Sequence, residues 1–237
     1  MFKHASEAEI QHLRALTLSN LGMVIGELPH LHKFSDGKYK NRLNIINGKL
    51  ITDLQEKNIP IVIIGAHCAN WEIMGPVMNR LNIDTFFVYS RFKNSTLNKI
   101  LSKYRSTYVD NLIEKRDAGK HLVDKLRNKG VICMYVDQRS KNGIFMNFFG
   151  ENIEKPKSAY TLAYKFNCPI VPVHFQRRKN SNFDIKICSP IYVNKLSSNK
   201  QDAITKAAEI TNTLFESWIR LDPGAWLCTK RLHKQQF

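Results

Sequence analysis

Within six residues, His67-Cys68-Ala69-Asn70-Trp71-Glu72 offers an imidazole, a thiol, a carboxamide, an indole and a carboxylate. An imidazole exchanges its proton near neutral pH, so His67 is the candidate general base for a substrate hydroxyl. A carboxylate on its other ring nitrogen would fix the tautomer and stabilise the cation formed, and Glu72 is close enough in sequence to be that partner. The spacing alone carries little. Eight histidines and 20 acidic residues in 237 positions give roughly 0.7 accidental His-x4-Glu pairs. Indeed His4 and Glu9 repeat the spacing in a polar stretch with no strand before it. His67 differs in context, because it follows the apolar, β-branched run Ile61-Val62-Ile63-Ile64 and the break Gly65-Ala66. A strand-to-helix junction leaves backbone N–H groups free to face a developing anion. The duller account is a satisfied core histidine beside a helix that Asn70 caps and Trp71 anchors by packing.

The surrounding pattern supplies that junction. Helices are expected over 5–28, 38–57, 70–81, 94–107, 117–129, 156–166 and 199–220, the last broken by Asp222-Pro223-Gly224. Strands are expected over 60–65, 84–90, 131–136, 144–149 and 169–175, the last forming a hairpin with 183–188 across a polar turn. Strands alternating with helices imply an α/β fold, a mixed and mostly parallel central sheet flanked by helices. With no linker or composition shift, 1–237 reads as a single domain, with a helical part over 1–58 and an α/β core over 59–237. Ligands of open α/β sheets bind beyond the carboxyl ends of the strands. His67 and Asp137, each following a strand, both belong at that edge.

The bulk composition narrows the function. The longest apolar runs, 59–66 and 168–175, are far shorter than the ~20 residues a membrane-spanning helix needs. Residues 1–28 lack the pattern of a secretory signal. Five scattered cysteines without a C-x-x-C pair suggest neither a disulfide framework nor a zinc site, so no metal is expected. A net charge of +16 favours an anionic partner: nucleic acid, an anionic membrane surface, a phosphorylated substrate or an acidic protein. No helix-turn-helix, RNP-like strand or zinc-finger spacing accompanies it, so charge alone speaks for nucleic acid, and none is expected as a partner.

The stretch G-A-H-C-A-N-W-E (65–72) resembles the H-F-G-N-W-E signature of the late acyltransferases of lipid A biosynthesis. These lauroyl and myristoyl transferases lie within the glycerolipid acyltransferase superfamily. Further resemblances follow in the family's order: Lys103-Tyr104-Arg105-Ser106, GVICMYVDQ (130–138), GIFMNFFG (143–150), the L-A…P-I-V-P…R-R stretch ending at Arg178, and DPGAWLCTKR (222–231). Two departures stand out. Family members usually begin with a membrane-spanning helix, for which this sequence has no counterpart, and Cys228-Thr229 replaces aromatic and histidine residues.

The resemblance implies a glycerolipid-acyltransferase-like fold. It implies transfer of a fatty acyl chain from acyl carrier protein to a hydroxyl of a Kdo-bearing lipid A precursor, with the carrier thioester as co-substrate and no cofactor. His67 would be the base, with Glu72 or Asp137 as its carboxylate partner. Arg105 or helix N-terminal amides would hold the oxyanion. Asn70, Arg178 and Arg231 are the further substrate-binding candidates, and Lys155 and Lys157 possible phosphate contacts. Arg177 shares the same basic turn as Arg178. The protein would work at the cytoplasmic face of the inner membrane, bound peripherally through basic and apolar surface. The competing readings are a lysophospholipid or other glycolipid acyltransferase of the same superfamily, the phospholipid type commonly carrying His-x4-Asp, a basic nucleic-acid-binding protein, and a homologue that binds lipid without catalysis.

Overall fold

The computed structural model describes residues 5–91 and 94–227. In chain order the elements are α1 (Glu7–Glu27), α2 (His32–Ser35), β1 (Leu43–Ile46), α3 (Lys49–Glu56), β2 (Ile61–Gly65), α4 (Met74–Arg80), β3 (Thr85–Tyr89), α5 (Ser95–Arg105) and β4 (Asn111–Glu114). There follow α6 (Ala118–Arg127), β5 (Val131–Tyr135), β6 (Ile144–Phe148), β7 (Glu151–Lys155), α7 (Ser158–Lys165), β8 (Pro169–Arg177), β9 (Phe183–Ile187), β10 (Ile191–Tyr192) and α8 (Lys200–Leu221).

The central sheet runs β1-β9-β8-β2-β5-β3-β4, with β10 antiparallel to β8. The β8–β9 pairing is antiparallel, as the hairpin pattern predicted; the remaining neighbours along that order are parallel. This is the mixed, mostly parallel α/β sheet expected. β2 lies at its centre, and all five of its residues are buried. A strand covered on both faces needs apolar side chains at every position, which explains the unbroken Ile61–Ile64 run. Its alternate residues feed two cores. Val62 and Ile64 pack with Leu122, Leu126, Ala163 and Phe215 from α6, α7 and α8. Ile61 and Ile63 pack with Ile51, Leu54, Val77 and Phe34 from α3, α4 and α2.

Register then positions the chemistry. Gly65 of β2 stands opposite Tyr135 of β5 in a parallel pair. Two residues beyond each lie His67 and Asp137, so the strand pairing delivers both to one level at the carboxyl edge. β2 also marks where the sheet order reverses: β5 and the earlier β3 lie on one side, and β8 on the other. A crevice at such a switch point is the usual ligand site of an open α/β sheet.

The structure corrects several expectations. The stretch 38–57 is not one helix: Leu43–Ile46 forms edge strand β1, parallel to β9, and α3 starts only at Lys49. Asn47, with φ of 61°, makes the break, and a left-handed asparagine beside Gly48 ends a strand at little steric cost. The segment 144–149 does not join the main sheet. β6 and β7 form a separate two-stranded hairpin. Its turn, Phe149-Gly150, has φ of 54° and 78°, both positive as a tight hairpin turn demands. Helix 70–81 starts as a 3₁₀ turn at Trp71–Ile73 and becomes α-helical at Met74. Among the described residues, no helix is long and apolar enough to cross a membrane.

Candidate active site

His67 sits on a tight, strained turn. Cys68 N–H donates back to Ala66 O at 2.7 Å, and Ala69 follows with φ of 51°. A left-handed alanine costs about 1 kcal/mol and persists only where neighbours hold it. The neighbours are explicit here. Ala69 N–H donates to Ala225 O at 2.9 Å, and Leu227 N–H donates to His67 O at 2.9 Å. Asn20, buried on α1, donates through Nδ2 to Ala69 O at 2.9 Å and to Ala225 O at 3.0 Å. The turn carrying the imidazole is thus pinned by the chain's first long helix and its last described segment.

Asp137 is the carboxylate that meets His67. Its side chain has no solvent exposure. Oδ1 lies 2.7 Å from His67 Nδ1, Oδ2 accepts the His67 backbone N–H at 3.1 Å, and Oδ2 also accepts the Trp226 indole N–H at 3.0 Å. Burial opposes the ionised form, but the charge of His67 and the hydrogen bonds from His67 and Trp226 outweigh it. They hold the Asp137 carboxyl below the usual carboxylate range. An ionised carboxylate only accepts, so Nδ1 carries the proton and Nε2 is left as the basic nitrogen. Trp71 and Tyr135 confine the imidazole, with ring centroids 5.3 and 4.9 Å away. The His67 side chain is 20% exposed, enough for one edge to face a substrate.

Glu72, the partner suggested by local spacing, is committed elsewhere. It accepts from Arg105 Nε at 3.0 Å and Nη2 at 2.5 Å, and from the Tyr108 hydroxyl at 2.9 Å. This two-pronged pair is nearly buried, with side-chain exposures of 15% and 11%. Burial works against the Arg105 charge, yet Glu72 more than restores it and raises the guanidinium pKa. Arg105 is therefore tied to Glu72. The reason is geometric: Asn70, as N-cap, accepts from Glu72 N–H at 3.1 Å, and the 3₁₀ turn it starts carries the Glu72 side chain to α5.

The other candidates disperse. Asn70 is fully buried and donates through Nδ2 to Glu27 Oε2 at 2.7 Å, so it joins two elements rather than facing a ligand. Glu27 in turn takes a two-pronged ion pair from Arg177. Arg178 is exposed at the β8–β9 turn and pairs with Asp184 at 2.7 Å. Arg231 lies outside the described residues. Lys157 is exposed. Lys155 is not a surface phosphate contact: it is 2% exposed, donates to Asn212 Oδ1 at 2.6 Å, and lies 3.1 Å from the centroid of the Phe148 ring. Burial pulls its ammonium down to about 7. Sequence reasoning missed Asn20, Glu27, Tyr108 and Tyr135. No local signal in the apolar run 131–136 told that Tyr135 would lie against the histidine. Among the described residues, no group of three or more potential metal ligands is gathered.

The lowered Asp137 pKa fixes the sign of a pH effect. Such a carboxylate stabilises the fold above its unfolded value, near ~3.9, and the contribution fades as pH falls through the folded value. Asp137→Asn should therefore be less stable than the native protein at pH 7, and the gap should close below about pH 4. Urea unfolding across this range checks it; a gap independent of pH would contradict the assignment.

A sequence model of the bacterial lipid A biosynthesis acyltransferase family matches residues 1–235. A search of curated proteins found no match.

Proposed function

The chain belongs to the bacterial lipid A biosynthesis acyltransferase family, and we propose that it moves a fatty acyl chain from acyl carrier protein to a hydroxyl of a Kdo-bearing lipid A precursor. The observation carrying the mechanism is the buried Asp137 on Nδ1 of a partly exposed His67. In this reading Nε2 takes the proton of the acceptor hydroxyl as its oxygen attacks the thioester carbonyl carbon. The tetrahedral intermediate collapses with cleavage of the carbon–sulfur bond. The departing thiolate of the carrier's prosthetic arm recovers the proton from Nε2. Asp137 stabilises the imidazolium between the two transfers and stays ionised itself. General-base assistance of this kind contributes about 10²–10⁴-fold. In this reading Glu72 and Arg105 serve as a brace that holds the histidine turn against α5, not as carboxylate partner and oxyanion clamp.

The basic balance, 36 Lys+Arg against 20 Asp+Glu, suits an acidic carrier protein, a phosphorylated acceptor and an anionic bilayer surface. The position of α1 supports peripheral attachment. Residues 15–26 carry no charge, yet Leu16, Leu18, Met23 and Ile25 are 42%, 68%, 42% and 58% exposed. On α5, Leu97 and Ile100 are also exposed, beside exposed Lys99 and Lys103. Apolar side chains interleaved with cations are what an anionic lipid surface takes up.

The experiment is acyl transfer from acyl carrier protein to a tetra-acylated, Kdo-bearing precursor in detergent, with lysophosphatidic acid and acyl-CoA as the competing substrate pair. The native protein should form product with the first pair, and folded His67→Ala should lose at least about 100-fold. Equal rates in both proteins would remove His67 from the chemistry, and turnover of the second pair alone would make this a lysophospholipid enzyme.

A sedimentation assay checks attachment. The protein should pellet with vesicles containing anionic lipid, bind less as salt rises, and bind less as Leu18→Asp/Ile25→Asp with its fold intact. Equal pelleting of variant and native protein would clear α1 of the role.

A further inference from the structure

Asp137 poses a problem that the His67 contact alone does not solve. A carboxylate turns about its last torsion in a broad, two-fold well. For a side chain with no solvent exposure, its own hydrogen bonds set the plane of the carboxylate and so the aim of its oxygen at the imidazole. Here Oδ2 holds two donors, the His67 backbone N–H at 3.1 Å and the Trp226 indole N–H at 3.0 Å, which leaves Oδ1 to Nδ1 at 2.7 Å. One of these donors moves with the histidine turn itself. The other comes from a separate part of the chain.

We propose that Trp226 is a positioning residue, whose indole N–H rather than whose bulk fixes the Asp137 carboxylate and thereby the tautomer of His67. The proposal rests on His67 as the base, yet its first test needs no acyl transfer. Trp226 is itself well placed to act as a fixed donor. It is 4% exposed. It forms an antiparallel bridge with Cys68, next to the histidine. Its ring lies against Phe148 and Phe149, at centroid distances of 5.9 and 6.2 Å. The turn before it is set by Asp222, whose side chain accepts from Ala225 N–H at 3.2 Å. An indole held on its backbone and packed against two phenyl rings has little freedom to withdraw its N–H. Phenylalanine would keep much of the packing and leave Oδ2 with one donor, so the carboxylate plane could swing and lengthen the Oδ1–Nδ1 contact that holds the tautomer.

The test compares Trp226→Phe with Trp218→Phe. Trp218 is a buried indole stacked on His174 at 4.7 Å, and Asp137 has no hydrogen bond from it, so it controls for lost packing. Nitrogen-15 spectra of ring-labelled histidine at pH 8 should show His67 protonated at Nδ1 and bare at Nε2 in the native protein and in Trp218→Phe. In Trp226→Phe the two nitrogens should move toward averaged shifts. With the substrates of the proposed reaction, Trp226→Phe should lose about 10–100-fold in kcat, the usual worth of a hydrogen bond to a charged group, with KM within about twofold. A folded Trp226→Phe with the native nitrogen pattern and native kcat overturns the proposal. If that variant does not fold, the native chain carries the test. The Trp226 indole proton should resonate downfield and move upfield in Asp137→Asn, and an unmoved resonance overturns the proposal. Lack of turnover by the native enzyme would count against the proposed reaction and leave the spectroscopic result standing.

Discussion

A carboxylate sealed from water is the constraint from which the rest of this site follows. Removing such a charge from water costs several kcal/mol even after relaxation, unless hydrogen bonds replace the lost hydration. Asp137 has no exposure, and its replacements come from the imidazole, the His67 backbone and an indole. Three segments distant in sequence must therefore converge within hydrogen-bond reach: the end of β2, the end of β5 and the stretch 222–227. The parallel pairing of Gly65 with Tyr135 achieves the first convergence. The bridge between Cys68 and Trp226 achieves the second.

Two nearly buried ion pairs then brace the histidine turn. Glu72 reaches forward to Arg105 at the end of α5. Glu27 at the end of α1 reaches Arg177 at the end of β8 and accepts from Asn70 as well. Each charge is spent on its partner, and removing one member would leave the other buried and unpaired, which is far costlier than the pair is worth. This explains why residues that look like a catalytic set in the sequence divide into two kinds. His67 and Asp137 form the proposed reactive pair. Glu72, Asn70 and Arg105 hold the scaffold. It also gives α1 two faces with different tasks, since Asn20 and Glu27 grip the turn while Leu18 and Ile25 stand in solvent.

Much of this was legible in the sequence because β-branched apolar runs announce buried strands. The runs ending at Gly65 and Tyr135 placed His67 and Asp137 at the same sheet edge. What the local pattern could not decide was the partner. Sequence proximity favoured Glu72, whereas long-range strand register brings in Asp137 from 70 positions away. β1 was hidden because Leu43, Ile46, Leu50 and Leu54 also fit one helical face; only the Asn47-Gly48 pair marked the break. β7 was hidden because Glu151-Asn152-Ile153-Glu154-Lys155 reads as a polar loop, although Ile153 and Lys155 both turn inward. The indole of Trp226 could be read as core, but nothing local tells that its N–H ends on a carboxylate.

The claim at the centre is that Asp137, and not Glu72, supports the chemistry of His67. Comparing kcat of Asp137→Asn and Glu72→Gln in the acyl-transfer assay, at a temperature where both remain folded, tests it most directly. The account predicts a loss on the order of 10³–10⁴ for Asp137→Asn, as expected when a histidine's partner no longer enforces its tautomer. It predicts a loss below about 100-fold for Glu72→Gln, accompanied by a lower melting temperature because a buried ion pair is broken. A Glu72→Gln enzyme that is the more crippled of the two, at unchanged stability, would contradict the assignment and return the catalytic role to the residue that the spacing first suggested.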